Sequence, residues 1–226
     1  MNKQVSENPA KNRELTALTI VAALLATLYI ASNAMAVKVI ALGDLALFDA
    51  GTITFPAAYM LGDVLTEVWG FKTAKKVIWL TFLCNLIFVL CTALGLVLPA
   101  PDYMEETTKA YAVIFGYVPR IVIASLAGFL CGELSNAFVM SKMKALTKGK
   151  YMWLRTIGSS AVGYIFDTVL FVLVAFWGTA PGKDLFSMIT IQYGAKLLIE
   201  ALCGTPLAYL AVHIIGKKER DKNGIY

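Results

Sequence analysis

Charge is what this chain has least of. Only 15% of its 226 residues are Asp, Glu, Lys or Arg, against 58% hydrophobic, whereas soluble domains carry about 25% charged residues. That balance leaves little room for a solvated domain. Histidine is nearly absent: His213 stands alone near the C-terminal end, and one terminal His suggests no haem or quinone site. Cys84, Cys91, Cys131 and Cys203 fall inside apolar runs without metal-ligand spacing and read as buried free thiols. There is no GxxxxGK[ST] loop, which excludes ATP hydrolysis by that route. There is no HExxH or GxSxG motif for intramembrane proteolysis or lipolysis. Nothing asks for a cofactor or a metal, and the chain does not read as an enzyme. Linkers, low-complexity stretches and composition shifts are also missing.

What is present is six long apolar runs: Leu15–Ile40, Ile53–Trp69, Ala74–Leu98, Pro119–Met140, Thr156–Phe176 and Met188–Ile215. About 20 apolar residues span a bilayer as a helix. The predicted fold is an all-α polytopic membrane protein with six transmembrane helices over residues 15–215. Polar segments flank it at 1–14 and 216–226. The first run is too long for a signal-peptide core and is expected to stay as an anchor.

Fifteen of the twenty cations gather at the N-terminus, around Lys75, around Lys148 and in the C-terminal tail. Those segments share one side if the helices alternate. Both termini are therefore expected in the cytoplasm. The net charge of +5 follows from this topology and does not argue for nucleic-acid binding.

Ionisable residues inside the runs need a reason, because each costs several kcal/mol (roughly) unless it faces a partner or a wet cavity. Asp63, Asp167 and Glu200 lie near the middle of theirs, and Asp63 and Asp167 are the first choices for a substrate or proton site. Glu67 shares a helix face with Asp63, and reads either as part of that site or as an interfacial acid. Arg120, at the outer end of the fourth run, is an interfacial snorkel or a cation at an outer mouth. Glu133 and Asn136 form a second polar cluster beside the Gly128–Gly132 pair, itself a close-packing face. Ser125 is small enough to serve packing alone. Gln192, Lys196 and Glu200 recur every four residues as one polar stripe, with Tyr193 alongside. A Lys196–Glu200 pair within the helix is its simplest reading. Gly204 and Pro206 should kink or unwind that helix. In the first run Asn33 can bond a neighbouring helix or a ligand.

A faint repeat links the halves. Ser32-Asn33-Ala34 returns as Ser135-Asn136-Ala137 after 103 residues, and Asp63 returns as Asp167 after 104. Three helices per unit would make a 3+3 inverted repeat, as in many secondary transporters, with the site at the repeat interface.

Taken together, Ser32-Asn33, Phe55-Pro56 with Asp63, Glu67 and Gly70, Arg120 with Ala124-Ser125, Asp167 before Ala175-Phe176-Trp177, and Tyr193 with Lys196 before Pro206 carry a resemblance. Over about residues 28 to 210 the chain resembles the queuosine-precursor transporter family, earlier grouped as vitamin-uptake transporters. The resemblance implies a bacterial six-helix inner-membrane protein. It implies import of a 7-deazaguanine base such as 7-cyano-7-deazaguanine, or of queuine, by alternating access. A coupling proton or sodium ion and a homodimer are compatible with it. Such a base offers a ring N–H and an amine to one carboxylate, a carbonyl to a Lys, Asn, Gln or Arg donor, and a flat face to Tyr or Phe. Other polar heterocycles would suit the same residues. The rival readings are a substrate-binding membrane subunit of an ATP-energised vitamin uptake system and a membrane-embedded enzyme.

Overall fold

The computed structural model describes residues 9–36, 38–42, 45–116, 119–178 and 182–223. Helix α1 (Pro9–Met35) leads into a short antiparallel hairpin, β1 (Val39–Leu42) and β2 (Leu45–Asp49), with Val39 opposite Asp49. Then come α2 (Gly51–Trp69), α3 (Phe71–Val97), a 3-10 turn at Asp102–Met104, and α4 (Glu105–Phe115). Helices α5 (Pro119–Leu146), α6 (Met152–Phe176) and α7 (Gly182–Ile199) follow. A π-helical segment at Glu200–Gly204 joins α7 to α8 (Thr205–Asn223).

The chain is a helical membrane protein, with one correction to the sequence expectation. The first helix stops at Met35, not Ile40. An apolar run of this kind does not separate helix from buried strand by periodicity alone, and here its end enters the hairpin. Among the described residues, five helical segments are long and apolar enough to cross a bilayer: Glu14–Met35, Phe71–Val97, Ile123–Leu146, Met152–Ala175 and Leu185–Ile214. The exception, α2, is the most enclosed. Twelve of its 19 residues are buried, and it packs against α1, α3, α5, α7 and α8. A helix shielded on every side carries polar groups that a lipid-facing one cannot. Its partners turn the apolar side chains outward, among them Leu83, Ile87, Leu90 and Leu94 on α3 and Leu207, Leu210 and Ile214 on α8.

Two local features set the bundle's geometry. Gly70 adopts φ +79 between α2 and α3, and its N–H reaches the Thr66 carbonyl at 3.1 Å. That left-handed cap turns the chain in one residue. Between α5 and α6, a Cβ on Gly132 would stand 3.0 Å from the Gly163 carbonyl, and one on Gly163 would stand 2.9 Å from the Gly132 carbonyl. The Gly128–Gly132 face thus meets a third glycine, and the two helices touch backbone to backbone. At the other break, α7 passes into α8 by widening into π turns just ahead of Pro206.

Candidate functional site

The polar residues inside the bundle separate into three levels. At the hairpin end a cleft with a cavity volume of about 50 Å³ is lined by Ser32, Asn33, Phe55, Ser125, Asp167, Phe171, Gln192 and Lys196, among others. Lys196 supplies its charge and donates to Asp167 Oδ2 at 2.6 Å and to Thr168 Oγ1 at 3.3 Å. Both members of the pair are buried, and the Lys196 ammonium also stands 4.9 Å from the Phe55 ring centre. Lys196 therefore pairs across helices with Asp167, and not within its own helix with Glu200.

The opposite wall is a hydrogen-bonded chain. Ser125 Oγ donates to Asn33 Oδ1 at 2.6 Å, Asn33 Nδ2 donates to Asn85 Oδ1 at 3.2 Å, and the Tyr29 hydroxyl donates to the Ser125 carbonyl at 3.1 Å. Three helices thereby fix the Asn33 amide. Ser125 does more than allow packing, since it orients Asn33. Tyr29 in turn stacks on Phe129 with ring centres 3.6 Å apart.

The middle level is buried and acidic. Asp63, Glu133 and Glu200 have no solvent exposure. Asn136 Nδ2 donates to Asp63 Oδ1 at 2.9 Å, and the Tyr164 hydroxyl donates to Glu200 Oε2 at 3.1 Å. Tyr59 and Tyr164 lie between these acids and the cleft, ring centres 4.3 Å apart. Asp63 is thus below the cleft rather than in its wall, and Glu133 and Asn136 accompany it.

The third level lies at the far end of the bundle. Glu67 Oε2 accepts from Arg155 at 2.8 Å, and its other oxygen is 3.3 Å from Lys144. Arg155 also donates to the Lys150 carbonyl at 2.6 Å. Arg155 falls among the cations that follow Lys148 in the sequence, yet its side chain is 1% exposed. Glu67 belongs to this clamp, neither to the cleft nor to open interface. Tyr193 is half-buried on α7 and does not line the cleft. The Arg120 side chain lies outside the described residues. Phe55, Thr168, Tyr59, Tyr164 and Asn85 were missed as site residues, because nothing along one helix marks which aromatic or amide faces a neighbour's acid.

Chemically, the cleft offers one cation, one carboxylate, two amides and aromatic faces, but its volume suits a few waters rather than a bicyclic ligand. A larger guest requires side chains lining the cleft to move.

Over residues 49–211 the chain matches the model of a family described as "Putative vitamin uptake transporter". A protein of Bacillus subtilis (strain 168) named "Probable queuosine precursor transporter" is 31% identical over 195 residues, which are 85% of this chain and 83% of that protein. One of the same name from Haemophilus influenzae (strain ATCC 51907 / DSM 11121 / KW20 / Rd) is 24% identical over 74% of this chain and 70% of its own length. The "Queuosine precursor transporter" of Escherichia coli (strain K12) is 22% identical over 77% of each. No solved structure matches.

Proposed function

The chain belongs to the queuosine precursor transporter family, earlier grouped as vitamin-uptake transporters, and on that premise we propose that it imports a 7-deazaguanine base by alternating access. It is a multi-pass membrane transporter and not an enzyme. The observation that carries the substrate class is the Asp167–Lys196 pair facing Asn33 and Gln192 beside Phe55. Asp167 accepts the ring N–H and amine of the base. Lys196, released from part of its bond to Asp167, donates to the carbonyl, and Phe55 supplies a stacking face.

In this reading α2 is the sixth crossing. Its 19 residues extend about 28 Å at 1.5 Å each, close to the ~30 Å hydrocarbon core. The termini are cytoplasmic in the bacterial inner membrane, and the cleft opens outward at the hairpin end. Helices α1–α3 and α5–α7 form the inverted repeat, which the joint placement of Asn33 with Asp167 and of Asn136 with Asp63 supports.

The test is uptake by the purified chain alone in proteoliposomes, one labelled precursor at a time. Saturable uptake of 7-cyano-7-deazaguanine or queuine supports the reading. Binding without uptake, relieved only by an added ATP-hydrolysing module, would make the chain a binding subunit. A chemically altered base would make it an enzyme.

A further inference from the structure

Glu133 is the acid for which the packing offers no counterpart. It lies on α5 in the middle of the bundle with no solvent exposure, and neither carboxylate oxygen has a hydrogen-bond partner among the described residues. Among the described residues the buried cations are engaged elsewhere: Lys196 by Asp167 and Arg155 by Glu67. The groups that face Glu133 closely enough to feel its charge are Asp63 and Tyr59 from α2, Asp167 and Tyr164 from α6, Glu200 from the π segment and Tyr29 from α1. All are acids or phenols. A bare carboxylate in that company is costly, and an apolar side chain would fill the same volume without the cost.

Tyr59 is the second, independent observation. Its hydroxyl is buried and has no partner among the described residues. It abuts Gly132, the residue before Glu133, and the Asp167 Cβ abuts the same glycine. An unpartnered O–H thus sits beside the α5–α6 contact that also carries Asp167, near enough to Asp167 and Glu133 to feel both charges.

We propose that Glu133 is the coupling-proton site of this transporter, loaded from Asp167 through the Tyr59 hydroxyl. The inference rests on the transport reading above. In the loading step a proton taken up from the cleft neutralises Asp167 as its bond to Lys196 loosens, and the Tyr59 phenol gives its own proton to a Glu133 oxygen while taking that one from the Asp167 carboxyl. Only O–H bonds exchange, and Tyr59 ends as it began. With the proton aboard, Glu133 is neutral and the closed bundle can rearrange around it. Ionised Glu133 would be an uncompensated charge in a buried core, which opposes that motion. Release on the far side resets the cycle.

The experiment uses the full chain in liposomes with labelled 7-cyano-7-deazaguanine, an imposed pH gradient, and infrared difference spectra recorded across a pH step. Wild type should accumulate the base above equilibrium. Glu133→Gln, which mimics a permanently loaded site, should lose accumulation and keep exchange of labelled for unlabelled base. Tyr59→Phe should slow gradient-driven uptake with exchange intact. One carboxyl band that gains and loses its proton should vanish in Glu133→Gln and persist in Asp63→Asn. Accumulation by Glu133→Gln at the wild-type level, wild-type uptake indifferent to the gradient, or an unchanged infrared spectrum would overturn the proposal. If the band vanishes as expected while no base moves even in wild type, the substrate reading fails and the proton site stands. If exchange runs and the band persists, the proton site fails and the transport reading stands.

Discussion

Asn136 donates to Asp63 across the α5–α2 contact at 2.9 Å, whereas Asn33, 103 residues before Asn136, and Asp167, 104 residues after Asp63, both face a cleft. One Asn–Asp pair is closed and its counterpart is open. The same asymmetry extends to the helix contacts. Gly132 and Gly163 bring α5 and α6 together, and the residues 103 and 104 positions earlier are Tyr29 and Tyr59. At that spacing α1 and α2 carry aromatic rings, whereas glycines let α5 and α6 touch. Alternating access would open the Asn136–Asp63 side as the cleft closes.

That exchange predicts a phenotype for Asn136→Asp. Two carboxylates in place of the amide–carboxylate bond repel each other and should open the bundle below the cleft. A cysteine at Ser160, buried in the present state, should then react faster with an impermeant thiol reagent in inside-out vesicles. Asn33→Asp should not accelerate it. Equal reactivity in both backgrounds would remove Asn136–Asp63 as a gate.

Binding should separate the two aspartates. Asp167→Asn leaves donors of the base unpaired and should weaken equilibrium binding by about 1–3 kcal/mol. Asp63→Asn, below the cleft, should leave binding from the hairpin end near wild type. Calorimetry or a binding assay at matched expression tests both, and an equal loss would return Asp63 to the substrate site.

Lys196 and Asp167 should also be coupled in stability. Lys196→Gln alone strands a buried carboxylate, a change worth about 3–5 kcal/mol in buried pairs. The Asp167→Asn/Lys196→Gln double variant has no stranded charge and should recover most of that loss in thermal unfolding while still failing to bind. Additive losses would mean the pair contributes little.

Gly163 should tolerate no side chain. Its Cβ position is bounded by the Gly132 carbonyl and the Tyr59 ring, so Gly163→Val should cost about 1–3 kcal/mol or more through overpacking. Gly194, with nothing within 4 Å of a Cβ, is the control: Gly194→Ala should be neutral or stabilise by up to ~1 kcal/mol. Folded yield by size-exclusion chromatography distinguishes them.

Orientation is testable by labelling. A cysteine at Glu106, on exposed α4, should react in intact cells with an impermeant reagent in a background lacking the native cysteines. Reaction only after lysis would invert the topology.

Much of this protein was legible in one dimension. Apolar run length marked the membrane helices. The Gly128–Gly132 spacing marked a packing face. Gly204 and Pro206 marked the break, and the Gln192–Lys196–Glu200 stripe marked an inward side. Each of these depends on residues close in the chain, where helical periodicity decides who shares a face. The loss of the first helix at Met35 was not legible, because a short apolar segment suits helix and strand alike.

The choice of partners was decided only by the tertiary structure. Asp63, Asp167 and Glu200 look equivalent along the chain, and Lys196 stands one turn from Glu200. Yet Lys196 pairs with Asp167, Asp63 takes an amide, and Glu200 takes a phenol. Arg155 reads as a loop cation and is buried on Glu67. The physical reason is that a hydrogen bond or ion pair is decided within a few tenths of an ångström, and a helix's rotation about its axis moves a side chain by several. That rotation is set by how all the helices pack at once, with the Gly132–Gly163 contact holding one pair closest, and no single run of residues contains it.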